Sequence, residues 1–92
     1  MGKKVYTVCV LVDSDADNIV DAWAESFADS KSAEGYAQEQ KDNLLDEFFG
    51  GLKEGLDYEL VEGDGCPRKI SIRDKYDSRF CYVTITEKEI EI

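Results

Sequence analysis

One long helical stripe with strand-like alternation on both sides constrains this chain more than any other feature. From Ser30 onward, Ala33, Tyr36, Ala37, Gln40, Leu44, Phe48 and Leu52 recur at three- and four-residue steps, and Leu45 and Phe49 widen the stripe. Glu39, Asp42, Asp46 and Glu47 crowd the opposite side. Ser30 reads as the N-cap, Gly50-Gly51 frays the far end, and Gly55 closes it, because glycine accepts left-handed dihedrals. The pattern predicts one amphipathic helix over about residues 31–52, with its apolar stripe as the core face.

The segments around that helix have a period of two. Residues 4–12, KVYTVCVLV, are β-branched and aromatic, with Tyr6, Val8, Val10 and Val12 on one face and Thr7, Cys9 and Leu11 on the other. Two apolar faces predict a central strand, with Cys9 as a packing residue. Strands are also predicted over residues 57–62, 68–76 and 79–88. In the third, Ile70 and Ile72 oppose Ser71 and Arg73; in the last, Cys81, Val83 and Ile85 oppose Phe80, Tyr82 and Thr84. Turns at 62–67 and at Asp77-Ser78 imply antiparallel pairing. The tail EKEIEI alternates in a shifted register, since Ile90 and Ile92 are even-numbered and Ile85 is odd. That predicts either a bulge or an exposed edge open to a partner strand, in this chain's second copy or another protein.

Residues 17–28 fit two readings. Ile19, Val20, Trp23, Ala24 and Phe27 have helical spacing, yet a strand, a polar loop and a second segment also make a hairpin. They are either a second helix or the hairpin partner of the first strand. Either way the 92 residues make a single α+β domain spanning residues 1–92, an antiparallel sheet packed against one long helix.

Charge narrows the choice of partner. The chain carries 21 acidic and 11 basic residues and no histidine, for a net of −10. The acids concentrate between Asp13 and Asp64, whereas the stretch after it gathers Arg68, Lys69, Arg73, Lys75 and Arg79. Such a chain repels nucleic acid and anionic membrane and attracts basic surfaces. No apolar run approaches the ~20 residues that span a bilayer, and the three scattered cysteines do not form a secreted disulfide framework. The expected setting is the cytoplasm.

Specific chemistry is hard to seat. Asp13, Asp15 and Asp17 match the first three ligands of a calcium loop, but Asn18 stands where glycine belongs and Ala24 where the bidentate Glu belongs. The strand ending VLVDSD also has the DxD of haloacid-dehalogenase phosphatases, but the chain is too short for that fold and lacks the later motifs. Capping or a polar hairpin loop accounts for these aspartates without metal. No P-loop, nucleophile elbow or Rossmann fingerprint is present, so neither enzyme nor cofactor is expected.

What remains is the acidic surface. Small size, absent catalytic motifs and concentrated negative charge are traits of phage- and mobile-element-encoded inhibitors, including anti-CRISPR proteins that act as DNA mimics; no motif carries this likeness and it defines no family. The expectation is an inhibitor that occupies a basic, nucleic-acid-binding groove of a protein partner through Asp13, Asp15, Asp17, Asp21, Glu39, Asp42, Asp46 and Glu47. The alternative is an interaction or homo-oligomerising module that uses its sheet edge, its acidic face serving only solubility.

Overall fold

The first strand is apolar on both faces, so its backbone needs a paired neighbour on each side, and it has both. The computed structural model describes residues 2–15, 18–63, 68–75 and 78–91, and orders them as β1 (Gly2–Ser14), β2 (Ile19–Phe27), α1 (Ser30–Phe49), β3 (Tyr58–Glu62), β4 (Arg68–Asp74) and β5 (Arg79–Glu91). The five strands form one sheet in the order β2-β1-β5-β4-β3, and every neighbouring pair is antiparallel. This is the expected α+β architecture.

The helix-or-hairpin choice resolves to a hairpin. β2 pairs with β1 from Ser14↔Ile19 to Tyr6↔Phe27. The turn closes through the Asn18 N–H, which donates to the Asp15 carbonyl at 3.2 Å, with Asn18 at φ 56. Asn tolerates that left-handed conformation better than most residues. Tertiary pairing overrides the helical spacing of residues 19–27, because β1 has an open edge to fill. β2 is an edge strand, and its exposed Asp21 and Glu25 blunt it against further pairing.

α1 lies across one face. Its Ala33, Ala37, Leu44, Phe48 and Phe49 pack on Val8, Val10 and Val12 of β1, Ile70 and Ile72 of β4, and Cys81, Val83 and Ile85 of β5. Three contacts pin it: Phe27 on Tyr36 at 5.2 Å between ring centroids, Phe49 on Tyr58 at 5.1 Å, and the Trp23 indole N–H donating to Gln40 Oε1 at 3.0 Å. The N-cap is Asp29 and not Ser30: Asp29 Oδ1 accepts from the Ser32 N–H at 2.8 Å, and Oδ2 from the Ser32 hydroxyl at 2.9 Å. Those bonds hold its carboxyl below the usual range. The helix stops at Phe49 and does not reach Leu52, since Gly51 takes φ 80 and turns the chain away. Gly55, at φ 85, closes a separate turn whose N–H donates to the Tyr58 carbonyl at 2.7 Å.

The last two strands also differ from expectation. β4 ends at Asp74, because that buried carboxylate turns the chain by accepting the Ser78 N–H at 2.7 Å, the Arg79 N–H at 3.2 Å and the Ser78 hydroxyl. β5 runs on to Glu91 with no bulge, paired to β1 in one register from Ser14↔Arg79 to Gly2↔Glu91. The shift in its apolar pattern has another cause. β2 ends opposite Tyr6 and α1 starts just after it, so Lys88–Glu91 lie past the helix and need no apolar side facing it. Nor is β5 an edge: it is the central strand, flanked by β1 and, up to Ile85, by β4. Beyond Ile85, Thr86–Glu91 has β1 on one side and no β4 residue on the other among the described residues. Among those residues no helix is long and apolar enough to cross a membrane.

Candidate partner-binding surface

The expected acidic residues divide among several places. Glu39, Asp42 and Asp46 form an exposed line along the outer side of α1, opposite the Ala33–Ala37–Leu44–Phe48 stripe. Glu47 is exposed on the flank toward β2, about two turns beyond Gln40, and Asp21 lies on the same side, two residues from Trp23. Asp21 Oδ1 accepts from the Ala22 N–H at 2.8 Å. Asp15 sits in the β1–β2 turn. Asp13 points to the opposite face of the sheet, since it alternates with the buried Val12 and Ser14. Asp17 lies outside the described residues.

The bases neutralise one flank only. The Arg68 guanidinium reaches Glu34 at 3.4 Å and Glu62 at 3.6 Å, and the Lys41 ammonium reaches Glu62 at 3.6 Å and Asp42 at 3.9 Å. Both cations are largely covered, so they knit the β3–β4 side of the helix to the sheet. Glu39, Asp46 and Glu47 form no ion pair among the described residues. The outer and β2-facing sides of α1 therefore keep their negative charge.

The other face of the sheet bears no helix. Cys9, Leu11 and Asp13 of β1 stand in rows with Thr84, Tyr82 and Phe80 of β5, and these in turn with Lys69, Ser71 and Arg73 of β4. The Lys69 ammonium sits 4.2 Å from the centre of the Tyr82 ring, the Arg73 guanidinium 5.6 Å from that of Phe80, and the two rings meet edge to face at 4.5 Å. Leu11 and Val61 are exposed here, and Val20 is 77% exposed. Beside Tyr82 a shallow trough of about 540 Å³ runs over Cys9, Leu11, Ala22, Ala24 and Thr84. Cys9 is thus a surface thiol, against expectation, while Cys81 is buried. Burial, with a smaller push from Glu47, raises the Cys81 thiol to about 12.

Sequence reasoning places Phe80 and Tyr82 on one face but gives that face no role. The available signal is arithmetic: one helix can cover one side of one sheet, so the second apolar side has to stay bare. Among the described residues no group of three or more Cys, Asp or Glu is placed to hold a metal ion. A cleft of about 610 Å³ beside Leu56, Tyr58, Glu59 and Lys75 contains Asp74, whose carboxylate is already engaged by Ser78 and Arg79. Burial alone would raise the Asp74 pKa, but those bonds outweigh it and leave the carboxyl below the usual range. That makes it a turn anchor and a poor proton donor at neutral pH. No family model, curated protein or solved structure gives a significant match to this chain.

Proposed function

We propose that this protein is a non-enzymatic inhibitor that sets the outer side of α1 into a basic, nucleic-acid-binding groove of a protein partner, as a DNA mimic of the kind phages and mobile elements encode. The observation that carries this reading is the line of Glu39, Asp42 and Asp46, exposed and facing away from the sheet, with only Asp42 touching a cation. Along the helix these carboxylates are about 4.5 and about 6 Å apart, the scale of phosphates spaced at about 3.4 Å per nucleotide. Asp21 and Glu47 extend the charge toward β2, and Asp15 extends it toward the hairpin tip. Asp13 belongs to the other face and drops out of the set.

Like charges at these spacings cost the helix a few tenths of a kcal/mol per pair, and Asp46 and Glu47 also oppose the negative end of the helix dipole with no base in the last turn. A folding-only role does not account for that arrangement; a cationic partner does. The test is capture from a bacterial lysate on the immobilised protein, eluted along a salt gradient. The expected result is one nucleic-acid-binding enzyme, released at moderate salt, displaced by competing DNA, and absent from the eluate when Asp42 and Asp46 are both replaced by Lys. Retention through high salt, or undiminished binding by that variant, would sink the reading.

A further inference from the structure

The helix-free face of the sheet is complementary to itself. We infer that two copies of this chain pair through it, face to face, about a two-fold axis parallel to β5. Such an axis keeps each level along the strands and exchanges left for right, so β1 of one copy lies over β4 of the other. Asp13 and Arg73 share the level of Phe80, one strand to either side, and therefore meet across the axis twice, carboxylate to guanidinium. One level on, Leu11 faces the small Ser71, and the small Ala22 faces the protruding Val61. Off the axis, large therefore meets small, as two sheets about 10 Å apart require. Phe80 and Tyr82 lie on the axis, and each meets its own copy, ring against ring.

Charge selects this axis over the obvious alternative. A two-fold axis across the strands would put β4 on β4, with Lys69 over Arg73, cation against cation. Aligned sheets cross at about 30°, which displaces residues one strand from the axis by only about 2 Å, within the reach of an Arg side chain. Val20 and Glu59 sit on the outer strands at the last of the three levels, at the corners of the patch, where twisted sheets splay apart, and stay at the rim. Five strands by three levels cover about 500 Å² in plan per copy, so pairing removes on the order of 1,000 Å² in total, the size at which specific interfaces begin. The acidic sides of α1 then point outward on both copies, so this pairing leaves the inhibitory surface free and stands apart from it.

The experiment is sedimentation equilibrium of the full chain from about 1 to about 200 µM, a range that brackets a micromolar dimer. The wild-type chain is expected to pass from monomer to dimer. Asp13→Arg alone and Arg73→Asp alone should each weaken the dimer at least about tenfold, since like charges then face each other twice. An equimolar mixture of these two variants should dimerise again, because every 13–73 pair between the unlike copies is once more of opposite sign. Circular dichroism on each variant checks that the fold is intact, and the mixture reports pairing whatever the small changes in stability. A chain that stays monomeric throughout, or single variants that dimerise as the wild type does, overturns the inference. So does a monomer that takes a labelled single-stranded oligonucleotide onto Phe80 and Tyr82, which would assign the face to nucleic acid instead.

Discussion

The two faces of this sheet are built from the same strands, one residue apart, and do opposite work. On one, Val10, Val83 and Ile70 are sealed beneath α1; on the other, Leu11, Tyr82 and Lys69 carry no covering element. Apolar content alone does not separate them. What separates them is charge: the bare face carries Lys69 and Arg73 against its aromatic rings, whereas the helix that seals the other turns a line of carboxylates to solvent. The bare side of a chain with a net charge of −10 thus sets Lys69 and Arg73 against Asp13 and Glu59 in equal number. A sealed face is a folding device. A bare one with fixed rings and cations is the surface on which the proposed pairing rests.

Thiol chemistry gives the widest predicted gap between the faces. In a Cys66→Ser background at low protein concentration and pH 8, Cys9 should react with a disulfide reagent on the native protein, while Cys81 should not. With its thiol near 12, only about one Cys81 in ten thousand is thiolate at that pH, and the group is buried as well. Equal rates for the two would mean that the covered face opens readily. Next in size is truncation beneath the helix. Leu44→Ala should cost about 3 to 4 kcal/mol in urea unfolding, because Leu44 is 2% exposed and belongs to the core cluster beneath the helix. Leu11→Ala should cost under about 1 kcal/mol at low concentration. If the two costs matched, the bare face would be part of the core after all.

A smaller effect belongs to the turn that delivers β5 between its neighbours. Asp74→Ala removes a buried carboxylate from two backbone N–H groups and a hydroxyl, at a cost of about 2 kcal/mol. Its pKa is lower folded than unfolded. The stability it contributes is thus complete above the unfolded value of about 4 and lost as pH falls through the depressed one. The gap between the urea midpoints of wild type and Asp74→Ala should be full above about pH 4 and narrow as pH falls below it. A constant gap across that range would remove the carboxylate's charge from the explanation.

How far the sequence could be read follows from which physics is local. The periodicity of α1 and the alternation in β1, β4 and β5 are written into each segment, so those elements were legible. Residues 19–27 were not, because helical spacing and an edge strand that is only half-buried at Trp23 and Phe27 suit the same letters. What decides them is the vacant edge of β1, a fact about another segment. The tail misleads for a similar reason. Ile90 changes face where α1 does not reach, and nothing within EKEIEI says where a helix that starts at Ser30 begins to cover the sheet. For the candidate surface, Glu39, Asp42 and Asp46 were legible as one line on one helix. Asp13 joins them only by proximity in sequence to Asp15, and strand alternation sends it to the far side.

The smallest predicted change in stability is the one that best separates recognition from solvation. Replacing Glu39, Asp42 and Asp46 by Gln, Asn and Asn keeps size and polarity but removes three charges from the outer line of α1. Two like-charge spacings are relieved, and the last turn is freed of an acid that opposes the helix dipole, so the domain should gain a few tenths of a kcal/mol. The Lys41–Asp42 ion pair that the same change removes is long and exposed at the carboxylate, and is worth little. Urea unfolding at low and high salt should show the gain shrinking as salt screens the repulsion. Partner binding should move the other way, weakening and shedding most of its salt dependence. Solvation alone cannot produce that opposition of signs: carboxylates that merely face water leave binding unchanged when neutralised, whereas carboxylates that stand in for phosphates improve the fold and spoil the complex by the same substitution.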